Sequence, residues 1–429
     1  MSKADRIREW IKTALIIALS ISTILLGWRT NLFDDIFYTI PIFGRVTGFV
    51  GGSPTVEAGG VIGIEAARPI SIVITFDNGE RFGVRYEADV RNTVYDWTSS
   101  ILGEALGSAR AHEEISADEW RSALSGMGVF FEYASPMELS VLHAWLGARV
   151  SGLEHDVSLR RIFVAFGEER NRIYFKDDLS GEYFAADTDS SAVKAQELAM
   201  LRPNGAAFAF ELGVTGAENA PYTIIMPGTM HPNIAASPAA SAESILEIVR
   251  NAFGHGREVD RTYFDGDTLV SVGAHFNIRV EPNGRVIYRR TDAFQPSDMV
   301  FSFCESEIIE MARAVVSDTI GRTSGGAELF FEVLEFTSED SGTVTFGYYI
   351  AGGRVRLRDD MPAAKVFFTN SIVSEATLFF KNFSVISDDY TELLPELLAF
   401  AAVGGEFSLS FPYVGSEMLI PTWVGASNH

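Results

Sequence analysis

The stretch from Val259 to Arg289, VDRTYFDGDTLVSVGAHFNIRVEPNGRVIYR, decides the fold class. It reads as four strands, Val259–Phe264, Leu269–Gly273, Phe276–Val280 and Arg285–Arg289, separated by tight turns. Asp265-Gly266 and Asn283-Gly284 are hairpin signals, because glycine reaches positive φ without a Cβ clash. Strands joined so closely run antiparallel. A helix predicted over Ser241–Phe253 precedes them, so the unit is a helix laid on one face of an antiparallel meander.

The same order recurs downstream. A helix at Glu305–Ile320 precedes strands at Leu329–Phe336, Val344–Ile350, Arg354–Arg358, Lys365–Phe368 and Ala376–Phe380, a duplication of pattern without identity. A last helix is predicted over Asp389–Val403, with Pro395 inside it, before a closing strand at Phe407–Phe411.

Upstream the pattern is mixed. Ile70–Phe76 and Phe82–Tyr86 read as a hairpin around Asp77-Asn78-Gly79, and from Asp89 onward Val90, Val94, Trp97, Ile101, Leu102 and Ala105 share one helical face. Ser116 with Glu119, and Ser135 with Glu138 behind Pro136, each read as a capping box opening a short helix, with a strand at Val129–Tyr133 between them. Strands follow at Ile162–Phe166, Ile173–Phe175, Tyr183–Ala185, Ala206–Leu212 and Tyr222–Met226, interrupted by a helix at Ser190–Met200. The segment Pro227–Pro238 reads as an interdomain connection.

The N-terminus sets the compartment. Thr13–Trp28 is uncharged and apolar, and with Trp10 and Ile11 it approaches the length a spanning helix needs. Lys3, Arg6, Arg8 and Lys12 precede it while Asp34 and Asp35 follow, which predicts a cytoplasmic N-terminus and an extracytoplasmic remainder. Leu25 to Arg29 offers no small-residue pair for a signal-peptide cleavage, so the segment reads as a retained anchor in the cell membrane. Thr13, Ser20, Ser22, Thr23 and Gly27 are the small and hydroxylated residues that permit close helix pairing in lipid.

These readings give an α+β chain: a cytoplasmic stub at 1–12, an anchor at 13–28 and a glycine-rich juxtamembrane linker at 29–64. A mixed domain follows at 65–230, with a further division near 155 left open, then helix-plus-meander domains at 240–295 and 300–429.

Composition narrows the partners. The chain carries 34 basic and 57 acidic residues, a net charge of −23. Residues 1–29 hold 5 of the basic and 2 of the acidic groups, so the remainder keeps 29 against 55, a net −26. That surface repels nucleic acid and anionic envelope polymers. The single cysteine, Cys304, excludes an internal disulfide and reads as a small buried hydrophobe.

Signals of chemistry are sparse. The seven histidines, at 112, 143, 155, 231, 255, 275 and 429, lack metal-ligand spacing, and no cofactor motif appears. Ser191-Ala192-Val193-Lys194 matches the S-x-x-K of penicillin-binding enzymes without its partner motifs. Asp187/Asp189 and Asp265/Asp267 are acidic pairs better suited to a helix cap and a turn than to calcium, and Trp97, Trp120, Trp145 and Trp423 read as core before ligand groove. No catalytic residue, metal or cofactor is expected.

Four local stretches carry a family likeness: the basic start and span; Glu65–Pro69 leading into the first strand; Glu281-Pro282-Asn283-Gly284-Arg285-Val286-Ile287-Tyr288; and Thr345-Phe346-Gly347-Tyr348-Tyr349-Ile350 with Gly353. Pro421-Thr422-Trp423 adds a terminal proline-tryptophan strand. With the domain order, they resemble the YycH family and its relative YycI, accessory regulators of a cell-wall sensor histidine kinase in Gram-positive bacteria. The resemblance implies a non-enzymatic regulator whose partners are the kinase's membrane helices and ectodomain and a related accessory membrane protein. The rival reading is an extracytoplasmic envelope enzyme or ligand-binding protein.

Overall fold

Runs of β-branched and aromatic residues build the first half of the chain into one sheet buried on both faces. The computed structural model describes residues 64–148, 153, 157–190, 198, 200–291, 305–338, 340–370, 372–415 and 417–425. β1 (Ser71–Thr75) and β2 (Arg81–Val84) form the expected hairpin, with Gly79 donating to the Phe76 carbonyl at 3.0 Å. There follow α1 (Ala88–Ser108), β3 (Glu113–Ile115), α2 (Ala117–Leu124), β4 (Gly128–Glu138), α3 (Leu139–Leu146), β5 (Ser158–Ala165), β6 (Arg172–Lys176) and β7 (Tyr183–Asp187).

The seven strands lie in the order β2-β1-β4-β5-β6-β7-β3, every neighbour antiparallel. Period-two alternation splits their side chains. Val73, Phe130, Phe163, Tyr174 and Ala185 pack with Trp120 and Leu124 of α2 and with Phe208, Tyr222, Ile224 and Met226. Ile72, Phe131, Ile162, Val164 and Phe175 fill the other face, where α1 lies on β1, β5 and β6. Burying each such side chain stabilises the sheet by about 1.5–3 kcal/mol.

The second half is built around a larger sheet. β8 (Ala207–Phe208) pairs β9 (Ile224–Ile225), and β10 (Met230–Pro238) and α4 (Ala242–Ala252) follow. The quoted stretch forms β11 (Arg261–Asp265), β12 (Thr268–Val272), β13 (Phe276–Val280) and β14 (Arg285–Arg290), the meander its turns predict. After α5 (Glu305–Asp318) come β15 (Glu328–Ser338), β16 (Ser341–Ile350), β17 (Gly353–Arg356), β18 (Ala364–Thr369), β19 (Ile372–Phe379) and β20 (Lys381–Glu392). The chain closes with α6 (Glu396–Val403), β21 (Phe407–Pro412), β22 (Met418–Leu419) and β23 (Thr422–Gly425).

The two meanders are not separate sheets. β14 pairs β19 from Arg285↔Phe379 to Arg289↔Glu375, so both belong to one eleven-stranded sheet, and strand pairing crosses the junction placed between 295 and 300. β20, β10 and β22 form a three-stranded sheet beside it in sequence. The described residues of 64–250 and 258–425 make one compact unit; Asn251–Arg257 belong to another, in which the Gly254 amide donates to the Asn251 carbonyl at 3.1 Å. The mixed helix and sheet content is α+β.

Three predicted elements are corrected. Pro227–Pro238 is not a connection: its larger part is β10, which pairs β20 from Met230↔Glu392 to Pro238↔Lys381, with the ladder shifting between Pro232 and Ile234. A bulge is where a strand tolerates a proline that lacks an N–H. Ser135 and Glu138 do not box a helix, because β4 continues through both and Met137↔Leu159 resumes its ladder after a bulge. The Ser135 hydroxyl donates instead to the Phe331 carbonyl at 2.9 Å, and the helix starts at Leu139. Asp389–Glu392 belong to β20, and the last helix begins only at Glu396, with Pro395 as its N-cap. At Ser116 the predicted N-cap forms, Ser116 Oγ accepting the Glu119 amide at 3.1 Å. Ala206–Leu212 is a two-residue strand followed by a 3-10 turn at Ala209–Glu211. The helix predicted at Ser190–Met200 and the anchor Thr13–Trp28 lie, wholly or largely, outside the described residues.

Candidate functional site

Charged residues in the middle of apolar strands need partners, because an uncompensated buried charge costs several kcal/mol. β4 carries Glu132 within Val129–Tyr133, and β5 carries Arg160 and Arg161 between Leu159 and Ile162. Antiparallel register sets Glu132 opposite Arg161. One Glu132 oxygen accepts Arg161 Nε at 3.0 Å and Nη2 at 2.9 Å, and the other accepts Arg85 at 3.1 Å. Arg85 and Tyr86 extend the chain just past β2.

The far end of the chain completes the cluster. Glu406, immediately before β21, takes Arg160 at 2.9 Å and also pairs with Arg161. Glu396, at the start of α6, accepts the Tyr86 hydroxyl on one oxygen and the Met226 amide, at 2.7 Å, on the other. Tyr86 also meets His231 of β10 edge-on at 4.8 Å, His231 meets Trp423 of β23 at 5.1 Å, and Trp423 meets Phe407 at 5.1 Å. Trp423 Nε1 donates to the Leu394 carbonyl at 2.8 Å. Residues from the segment after β2 and from β4, β5, β10, α6, β21 and β23 thus converge on one junction.

Its electrostatics follow from burial against pairing. Burial pushes the Glu132 carboxyl up, but Arg161, Arg160 and Arg85 outweigh it and hold it below the ordinary range. Burial opposes ionisation of Glu406 as well, and the same three guanidiniums bring it down to about 2. At Glu396 burial wins over Arg85, the Tyr86 hydroxyl and the Met226 amide, and the pKa is raised. Burial and the neighbouring Glu396 push the Tyr86 phenol well up, and burial alone lowers the His231 imidazole. Carboxylate oxygens already taken by guanidiniums, a phenol and a backbone amide make a mechanical joint between the first sheet and the chain end.

A second joint lies on α1. The Arg91 guanidinium is buried, pairs with Glu328 of β15 and sits 5.6 Å from the Phe330 ring centroid, while Asn92 donates to Glu328 at 3.3 Å. α3 also packs on α5.

The residues singled out in the sequence fall elsewhere. Thr13, Ser20, Ser22, Thr23 and Gly27 lie outside the described residues, as do Ser191, Lys194 and Cys304. Asp189 pairs with Arg110 and Arg170 at 2.8 and 3.1 Å, Asp187 lies 3.4 Å from Arg172, and Asp265 pairs with Arg279 at 3.2 Å. Among the described residues no group of three or more His, Cys, Asp or Glu side chains is placed to hold a metal, and no helix is long and apolar enough to cross a membrane. Trp120 and Trp145 are core residues, whereas Trp97 lies at the surface.

Sequence reasoning missed the junction. The available signal was the Arg160-Arg161 doublet inside a strand-forming run and the lone Glu132 in an apolar one, which together announce buried pairing without naming the partners.

No protein-family model and no curated protein matches the chain. Among solved structures, that of YycH from Bacillus subtilis is similar, at 12% sequence identity and a TM-score of 0.55, over 85% of this chain and 95% of that one. The folded chain, joined end to beginning through Glu132, Arg161 and Glu406, has a YycH-like fold.

Proposed function

We propose that this chain is a non-enzymatic, single-pass regulator of a two-component sensor histidine kinase, anchored in the cell membrane with its N-terminus in the cytoplasm and its bulk outside. The observation that carries the reading is the YycH-like fold over 85% of the chain. The basic stub before Thr13–Trp28 supports the topology. In this reading the span packs beside the kinase's membrane helices and the ectodomain sets that contact, shifting the population of kinase states. A related accessory membrane protein is the second partner.

The test replaces Ser20, Ser22, Thr23 and Gly27 together with leucine, which keeps the anchor and removes close helix approach. Output of the kinase's target genes is read against the amount of membrane-bound protein. Loss of control at equal abundance is expected; unchanged output would remove the span from the mechanism. A reporter active only outside the cytoplasm, fused after His429, is expected to be active, and release of a shortened chain from the membrane would defeat the anchor.

A further inference from the structure

β11 ends the eleven-stranded sheet, pairing β12 on one side and nothing described on the other. All five of its residues are exposed, Tyr263 at 47% and Phe264 at 61%. Exposed edge strands are usually blunted by proline, lysine, a bulge or a covering element. Arg261-Thr262-Tyr263-Phe264-Asp265 contains no proline or lysine, and its register with β12 is unbroken. It is also fixed in place: Asp260 accepts Thr262 Oγ1 at 2.7 Å and pairs with Arg250 at 3.1 Å.

The direction of its free backbone groups follows from the turn. Asp265 pairs Thr268 across the two residues Gly266 and Asp267, and the pair closing a two-residue hairpin exchanges both hydrogen bonds. Asp265, Tyr263 and Arg261 therefore turn their N–H and C=O groups toward β12. By alternation Thr262 and Phe264 turn theirs to the open edge.

We propose that this edge pairs with β11 of a second copy of the chain, antiparallel about a two-fold axis through Tyr263. In that register the outward groups of Thr262 meet those of Phe264 from the second copy, so all four outward residues bond. Arg261 then faces Asp265 of the other copy, twice, giving two cross-strand ion pairs in which Asp265, whose Oδ2 already takes Arg279, is shared between the two guanidiniums. Centring on Thr262 or Phe264 instead keeps the hydrogen-bond phase but loses both pairs. Charge and hydrogen-bond phase select the same register. A five-residue strand pair lies at the small end of interface sizes, so the association is weak and suits a transient dimer.

The two-fold register has one sharp geometric consequence. Tyr263 meets its own copy in a non-hydrogen-bonded pair, where Cα atoms lie about 4.5 Å apart, within disulfide range. In the full chain with Cys304→Ser, leaving only the introduced thiol, Tyr263→Cys is expected to form a disulfide-linked dimer on mild oxidation about tenfold or more faster than Asp267→Cys in the adjacent turn. Phe264→Pro, which removes an outward N–H and leaves the β12 ladder whole, is expected to abolish that linkage with unchanged melting. Arg261→Asp is expected to slow it severalfold, and Arg261→Asp with Asp265→Arg to restore it. Equal rates at positions 263 and 267, linkage that survives Phe264→Pro, failure of the charge swap to restore it, or linkage to a different protein would each overturn the proposal.

Discussion

Glu132 faces Arg161 across the β4–β5 ladder, and a single carboxylate oxygen receives both Nε and Nη2 of that guanidinium, at 3.0 and 2.9 Å. Arg85 takes the other oxygen, so one acid holds two arginines inside the protein. Glu132→Ala strands those charges and is expected to cost about 3–5 kcal/mol. Urea unfolding of the full chain in detergent, followed by tryptophan fluorescence, reads the change; an unmoved midpoint would show that the cluster is not stabilising.

The same cluster sets an acid limit. The carboxyl of Glu406 is held at about 2 and that of Glu132 below its ordinary value, while in the unfolded chain both titrate near the usual glutamate value of about 4.3. The unfolded state therefore binds more protons between these values. The stability they supply is complete above the unfolded value and falls as pH drops toward about 2. Glu396 works in the opposite sense, since its raised pKa makes it lose stability as pH rises above its unfolded value. Melting temperatures from pH 6 down to about pH 3 should decline steeply for the natural chain and less steeply for Glu406→Gln. Identical slopes would refute the assignment.

Glycine is required at 284 for two reasons, and at 79 for one. Gly284 has φ 91°, and a Cβ there would lie 2.4 Å from the Phe380 carbonyl oxygen. That backbone cannot retreat freely, because the Phe380 amide donates to the Gly284 carbonyl at 2.8 Å. Gly79, at φ 79°, has nothing within 4 Å of the same position. Gly79→Ala should cost about 1 kcal/mol of backbone strain, and Gly284→Ala about 2 kcal/mol or more. Equal losses in a side-by-side thermal melt would contradict the difference in surroundings.

Local order was legible where turn chemistry and alternation agree. Asp265-Gly266 and Asn283-Gly284 fixed the β11–β14 meander almost to the residue, and Ser116 announced α2. Errors gathered where a long-range ladder overrode a local signal. Pro136 and Ser135 read as a helix start, yet pairing with β5 carries β4 past them to Glu138. Pro227–Pro238 read as a connection, yet β20 supplies, 158 positions beyond Asn233, a strand for β10 to bond, with Thr391 Oγ1 reaching Asn233 at 2.7 Å. The junction was invisible for the same reason: Glu132 marks a buried charge, but nothing local to it points to Glu406.

Synthesis runs from the first residue to the last, and the clasp does not. Arg161 lies 245 positions ahead of Glu406, and Tyr86 lies 310 ahead of Glu396. While the chain is emerging, the first sheet holds three arginines against Glu132 alone, and β14 waits for β19 before its second edge is covered. Early domains ordinarily settle as soon as they are made. Here the first sheet cannot neutralise its interior until almost the whole polypeptide has been delivered. A product that stops short of Glu396 is left with an uncompensated interior, a feature by which quality-control proteases distinguish an unfinished chain from a finished one.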